Sequence, residues 1–184
     1  MAIHGYGIGW IWIVSEDIIA DRHMITLVAA ISKNNCIGKD NAIPWDIPED
    51  MKRMREITKG KVLIMGRKTW ESIPEQRRPL PQRTNVVITR DQNYPLPSGA
   101  ERFDSVSQAI AAHKNEDIIG FGGQRIFEEM INLADVLDLT LVDQNIENCH
   151  AFFPMIDPKV WKVTDEEKHD GFSFVKYIKL LIPW

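Results

Sequence analysis

The sequence lacks several features that mark specialised classes of protein. No stretch approaches the roughly 20 apolar residues of a membrane span, so we expect no membrane association. No lysine or arginine precedes the apolar segment at 8–14, which argues against a secretory signal. The net charge of −4 gives no basic excess, so we expect no nucleic-acid partner. These absences favour a cytoplasmic protein.

Cysteine is also scarce. Cys36 and Cys149 lie far apart and match no metal-ligand spacing, so we predict no metal site. We interpret both as free thiols in a reducing compartment, and a single disulfide is the open alternative.

The composition itself is ordinary. With 184 residues, 44% of them hydrophobic and 26% charged, the chain predicts one globular domain with a substantial core. Residues 1–23 differ in pattern from the rest of the chain, and Met24 opens a clean strand pattern. We therefore predict an N-terminal extension at 1–23 outside the fold, a domain at 24–180 and a tail at 181–184. The alternative for the extension is an interaction arm, since exposed Trp10 and Trp12 would form an adhesive patch.

Strand and helix patterns alternate through most of the domain. Apolar runs predict buried strands over 25–31, 62–65, 85–89, 117–121 and 136–142. Helices are predicted over 48–58, after Gly66, after a capping Ser105 and after Gly123. Residues 161–164 and 172–180 are predicted to form a closing antiparallel pair. This order predicts a single α/β domain with a mainly parallel central sheet, flanking helices and a C-terminal strand hairpin.

One carboxylate stands out in the helix that begins at Pro48. Asp50 shares a helical face with Met54 and Ile57, whereas Lys52, Arg53, Arg55 and Glu56 belong to the solvent face. A carboxylate on an apolar face is costly without a partner or a function, so Asp50 is a candidate catalytic group. The alternative is an aspartate that only complements the helix dipole.

Three junctions after predicted strands carry glycine or cations. They are Gly66–Thr69, Gly120–Gly123 and Arg90. Ligands bind at the carboxyl ends of strands in such sheets, and helix starts there favour anions. Each junction alone is better explained by packing or surface charge, but together they suggest a ligand with several phosphates. The usual dinucleotide fingerprint G-x-G-x-x-G is absent after the first strand.

The order and spacing of several motifs resemble the dihydrofolate reductase family, specifically its chromosomal bacterial type. The resemblance covers 24–180 and rests on Ala29–Ala30, Ile37–Gly38, Pro44–Trp45, Asp50, Met65–Ile73, Arg78–Pro81, Arg83, Asn85–Val87, Gly122–Gly123 and Thr140. It implies an enzyme that reduces 7,8-dihydrofolate to tetrahydrofolate with NADPH, serves one-carbon metabolism and thymidylate synthesis, and is an antifolate target. We further expect a monomer.

The resemblance also implies roles for individual residues. Asp50 would hold the pterin and support protonation of its N5, with Thr140 bonded to that acid and Trp45 ordering a water near it. Arg83 would grip the glutamate carboxylate of the substrate. The other implied substrate contacts are Val28, Ala30, Met51, Met54, Ile73, Leu80 and Phe121.

The implied cofactor contacts come from several segments. They are Ala30, Ile37, Gly38, Ile43, Gly66, Arg67, Lys68, Thr69, Thr89, Arg90, Phe121, Gly122, Gly123, Gln124, Arg125, Ile126 and Phe127. The loop through Ile43 would act as a lid, and the peptide bond Gly122–Gly123 would be cis.

Two rival functions remain open. A related reductase of a riboflavin precursor shares the fold, but Pro44–Trp45, Asp50 and Arg83 favour folate. A catalytically idle NADPH-binding module is the other rival, and the presence of Asp50 and Thr140 speaks against it.

Overall fold

The computed structural model describes residues 23–180, which form an eight-stranded sheet, a two-stranded sheet, four α-helices and a short 3-10 helix at Glu75–Arg77. The strands are β1 (Ile25–Ser32), β2 (Cys36–Gly38), β3 (Val62–Gly66), β4 (Thr84–Ile88), β5 (Ala100–Phe103), β6 (Ile118–Gly122), β7 (Val136–Val142), β8 (Ala151–Phe152), β9 (Trp161–His169) and β10 (Phe172–Lys179). The helices are α1 (Pro48–Ile57), α2 (Arg67–Ser72), α3 (Val106–Ala112) and α4 (Gln124–Met130). The predictions for the extension, including Trp10 and Trp12, and for residues 181–184 fall outside the described residues, apart from His23. Between residues 23 and 180, no helix is long and apolar enough to cross a membrane.

The large sheet has the strand order β5-β4-β3-β6-β1-β7-β10-β9. Its first six strands pair in parallel, and β10 and β9 continue the sheet in antiparallel fashion. The predicted fold class is therefore confirmed. Because parallel strands end at the same edge, the residues that follow β3, β4 and β6 lie close together.

The core lies on both faces of this sheet. Successive residues of a strand point to opposite faces, so Leu27 packs on one side and Val28 on the other. The same division separates Ile64 from Leu63 and Met65 on β3. Apolar runs therefore identified the central strands correctly, because those strands are covered on both faces.

Three short strands escaped prediction. β5 carries Glu101 and Arg102 at the edge of the sheet, and β8 has two residues. β2 lies inside residues 32–47, for which the sequence predicts one long loop, and pairs with β8. β9 also runs five residues beyond the predicted 161–164, because its exposed polar second half is held by backbone pairing with β10. Backbone pairing with other strands defines these elements, and no local apolar pattern in the sequence marks them.

The free-thiol interpretation of the cysteines is wrong, since Cys36 and Cys149 form a disulfide with a Cα–Cα distance of 5.9 Å. Cys36 lies in β2 and Cys149 lies two residues before β8. The pairing of these two strands brings together residues that are 113 apart in sequence. The disulfide therefore ties the segment before the predicted lid to the segment before β8.

The apolar face of α1 is not fully buried, contrary to the prediction. Asp50, Met54 and Ile57 are half-buried, and no residue of this helix is completely buried. Arg53 also departs from its predicted place on the solvent face, because its side chain is only 25% exposed. The helix faces an open cleft, which explains the partial burial.

Candidate active site

A cleft of about 1980 Å³ runs along the carboxyl ends of the parallel strands. Its wall is formed by the ends of β1, β3, β4 and β6, by α1, and by the starts of α2 and α4. Pockets for a single drug-sized ligand are roughly 300–1,000 Å³. The cleft therefore has room for two ligands side by side.

Nearly all the residues implied by the resemblance line this one cleft. They are Val28, Ala30, Ile37, Gly38, Ile43, Asp50, Met51, Met54, Gly66, Arg67, Lys68, Thr69, Ile73, Leu80, Arg83, Thr89, Arg90, Phe121, Gly122, Gly123, Gln124, Arg125, Ile126 and Phe127. The two exceptions are Thr140, which is buried behind Asp50, and Trp45, which is half-buried just before α1. The structure thus assembles residues from separate segments of the chain around one cleft.

Asp50 is a carboxylate of the cleft that contacts the sheet directly. The Thr140 hydroxyl, on β7, donates a hydrogen bond of 2.5 Å to Asp50 Oδ1, which leaves Oδ2 for a ligand. Burial raises the pKa of Asp50, and the bond from Thr140 and the charge of Arg53 oppose that rise, while Asp138 adds to it. A carboxyl group with a raised pKa in a cleft is suited to proton chemistry.

Arg83 is held rigidly in the wall near the other end of α1. Its Nε donates to Thr58 Oγ1 at 2.8 Å, and its Nη1 and Nη2 donate to the carbonyls of Pro81 and Arg55 at 2.5 and 2.7 Å. A guanidinium has five N–H donors, so two remain for an anionic ligand. Burial, together with the neighbouring Arg55, lowers the pKa of Arg83. This fixed fork is suited to binding a carboxylate in two-point fashion.

Three cations follow the neighbouring ends of β3 and β4. Gly66 pairs with Ile88 across these strands, so Arg67, Lys68 and Arg90 follow neighbouring strand ends. Arg67 is held loosely by Glu71 at 3.8 Å and lies 5.9 Å from the centroid of the Tyr94 ring. All three cations line the cleft, so the arrangement is suited to a phosphate group.

The glycines at the end of β6 and the start of α4 have two different structural roles. A side chain at Gly120 would come within 2.5 Å of Leu27, so this glycine serves packing and does not approach a ligand. Gly122 has a positive φ of 110°, and the Gly122–Gly123 peptide bond is cis, as the resemblance implied. A Cβ at Gly122 would meet the Phe127 ring at 3.3 Å. The backbone here forms a close surface at the cleft wall.

Several cleft residues were missed by sequence reasoning. Asn41 and Ala42 belong to the predicted lid, while His150 and Ala151 come from the segment across from it. His150 Nδ1 accepts a hydrogen bond from the Asp40 amide at 3.3 Å, and Lys39 donates to the carbonyl of Glu147. This second segment approaches the cleft through the β2–β8 pair and the disulfide, for which no motif provides a signal.

The chain is similar to known proteins over most of its length. Residues 24–178 match the family model described as dihydrofolate reductase. A dihydrofolate reductase of Neisseria meningitidis serogroup A is 42% identical over 162 residues, which cover 84% of this chain and 98% of that protein. Dihydrofolate reductase HdrB of Haloferax volcanii is 40% identical over 159 residues, with coverage of 82% and 81%.

Among solved structures, dihydrofolate reductase from Enterococcus faecalis complexed with NADP(H) and RAB-propyl superimposes with a TM-score of 0.76. It is 29% identical, and the match covers 85% of this chain and 96% of that one. The chain therefore belongs to the dihydrofolate reductase family, whose members reduce 7,8-dihydrofolate to tetrahydrofolate with NADPH.

Proposed function

We propose that Asp50 is the acidic group with which this protein, as a dihydrofolate reductase, reduces 7,8-dihydrofolate to 5,6,7,8-tetrahydrofolate. The observation that carries the proposal is the contact between Asp50 and Thr140 at the floor of the cleft. Thr140 occupies Oδ1, so Oδ2 can accept hydrogen bonds from the N–H groups of a pterin ring. A carboxylate in that position favours the substrate that is protonated at N5.

The remaining proposed substrate contacts line the cleft together with Asp50 and Arg83. Met51, Met54, Ile73 and Leu80 provide apolar walls between Asp50 and Arg83. Those walls suit the flat pterin and aminobenzoyl groups. The two free N–H groups of Arg83 then bind the glutamate carboxylate. Antifolates of similar shape should occupy the same region, and Trp45 stays a proposed organiser of water near Asp50.

The residues on the other side of the cleft fit NADPH. The close backbone surface at Gly122–Gly123 and the cations Arg67, Lys68 and Arg90 suit its phosphate groups. When bound, NADPH supplies the hydride that is added to C6 of the substrate. The lid through Ile43 excludes water from the site when it closes over the ligands.

The proposal extends to the cellular context. The product feeds one-carbon transfer and thymidylate synthesis, and we propose a monomer in the cytoplasm without a nucleic-acid or membrane partner. The interpretation of the cysteines as free thiols no longer supports a cytoplasmic location, because the two cysteines form a disulfide. Disulfides are typical of oxidising compartments.

One assay tests the proposed function directly. Purified protein is mixed with NADPH and dihydrofolate, and the absorbance of the reduced nicotinamide is followed. Rapid loss that depends on dihydrofolate supports the proposal. Activity only with a reducible riboflavin precursor would support the first rival, and NADPH binding without turnover would support the idle module.

The same assay tests the domain boundaries. A chain that starts at Met24 should keep the activity of the full protein, since every cleft residue lies within 28–151. Loss of folding or activity in this shortened chain would show that residues 1–23 belong to the catalytic unit.

A further inference from the structure

A second charged pair lies beside the contact between Asp50 and Thr140. Asp138 precedes Thr140 by two residues on β7, so both point to the same face of the sheet. Arg53 follows Asp50 by three residues on α1, so both lie on neighbouring turns of one helical face. Arg53 Nη1 lies 2.5 Å from Asp138 Oδ1. Two polar links therefore join the same helix to the same strand.

Asp138 depends on Arg53 for its charge balance. It is only 7% exposed, and the Arg53 guanidinium is the polar contact of its Oδ1 among the described residues. The guanidinium carbon of Arg53 lies 4.6 Å from the centroid of the Phe174 ring, and Phe174 is paired with Thr140 across β10 and β7. An aromatic face and a buried carboxylate thus fix the position of this cation.

We propose that the Arg53–Asp138 ion pair is a positioning element for the catalytic carboxyl, which holds α1 on β7 and balances the charges around Asp50. This inference rests on the proposed role of Asp50 in the reaction. Neither Arg53 nor Asp138 lines the cleft, so the pair acts through Asp50 and not on the substrate.

The other charges near the pair face water. They are Glu49, Lys52 and Glu56 on α1, Lys176 on β10 opposite Asp138, and Asp165, Glu167 and His169 on β9, where the His169 ring also packs against Phe174. On β1, the register neighbours of Asp138 and Thr140 are the uncharged Val28 and Ala30. Exposed charges are screened by water and salt. The two members of the pair are therefore the charges that act on Asp50, Arg53 favouring its ionised form and Asp138 disfavouring it.

Single neutral substitutions should shift the titration of Asp50 in opposite directions. Asp138→Asn leaves Arg53 unbalanced, so the pH midpoint of Asp50 should fall by about half a unit to one unit. Arg53→Met leaves Asp138 unbalanced, so the midpoint should rise by about the same amount. The double variant should titrate close to wild type. A pair that only stabilises the fold would not give shifts of opposite sign.

The experiment is an NMR titration of the Asp50 carboxyl carbon in the ligand-free full chain, with Asp50→Asn as the assignment control. Lys52→Met removes an exposed charge from the same helix and should leave the midpoint unchanged. Arg53→Lys keeps the charge and should restore the wild-type midpoint. Should Asp138→Asn fail to fold, Arg53→Met and the double variant still decide the matter.

The pH dependence of hydride transfer is the second measurement, and its midpoints should follow the same order. Midpoints that coincide in wild type and Arg53→Met, or that move in the same direction in both single variants, would overturn the inference. The titration needs no turnover. An enzyme that fails to reduce dihydrofolate would therefore contradict the proposed function without obscuring this result.

Discussion

Replacing both Arg67 and Arg90 with alanine should remove most of the preference for NADPH over NADH. The two cofactors differ by one phosphate on the adenosine ribose, and these arginines follow the paired ends of β3 and β4. Two charged hydrogen bonds at about 1.5–3 kcal/mol each would sum to about 3–6 kcal/mol.

Solvent reduces this sum. The Arg67 side chain is 49% exposed and already lies 3.8 Å from Glu71, and Arg90 is exposed as well. Exposed pairs contribute much less than buried ones. A net effect of about 1.4–4 kcal/mol remains, which corresponds to a preference of roughly 10- to 10³-fold.

The assay compares kcat/KM for NADPH and NADH at low and high salt. The double variant should lose activity with NADPH, keep most of its activity with NADH, and lose its salt dependence. Lys114→Ala removes an exposed cation outside the cleft and is the matched control. A double variant that kept the preference would show that these arginines are ordinary surface charges.

Three further predictions concern substrate binding and stability. Arg83→Leu should raise KM for dihydrofolate about 10- to 100-fold with little change for NADPH, and equal effects on both would place Arg83 elsewhere. Replacing Cys36 and Cys149 with serine should lower the free energy of unfolding in urea by about 2–5 kcal/mol, as reductant should in the wild type, and an unchanged value would argue against the disulfide. Burial raises the pKa of Asp50, so its contribution to stability is present at low pH and lost as pH rises through the folded pKa. Asp50→Asn should therefore unfold at higher urea than wild type at neutral pH, and a lower midpoint there would refute this.

The fold could be predicted where burial leaves a local pattern. Buried parallel strands such as β1 and β7 appear as apolar runs, and Ser105 caps α3 by accepting a hydrogen bond from the Gln108 amide. β5, β8 and the second half of β9 could not be predicted in this way. They are short or exposed, and backbone pairing with distant strands defines them.

In the candidate site too, features with a local sequence pattern could be predicted, and features that depend on distant partners could not. Asp50 could be singled out as a candidate because a carboxylate interrupts an apolar helical face. The Arg53–Asp138 pair was missed because a cation next to Lys52 resembles a solvent-facing residue. A signal did exist, since Asp138 and Thr140 are polar residues two positions apart in an otherwise apolar strand. Their partners come from a distant helix, which the pattern of one segment does not reveal.

The most direct test of the account is the rate of hydride transfer in Asp50→Asn, measured from low to neutral pH with saturating NADPH and dihydrofolate. A positioned acid–base group contributes roughly 10²- to 10⁴-fold, so the variant should be slower than wild type by about that factor at neutral pH. The deficit should shrink as pH falls, because the substrate then arrives already protonated. A variant that transferred hydride at nearly the wild-type rate at neutral pH would contradict the assignment of Asp50.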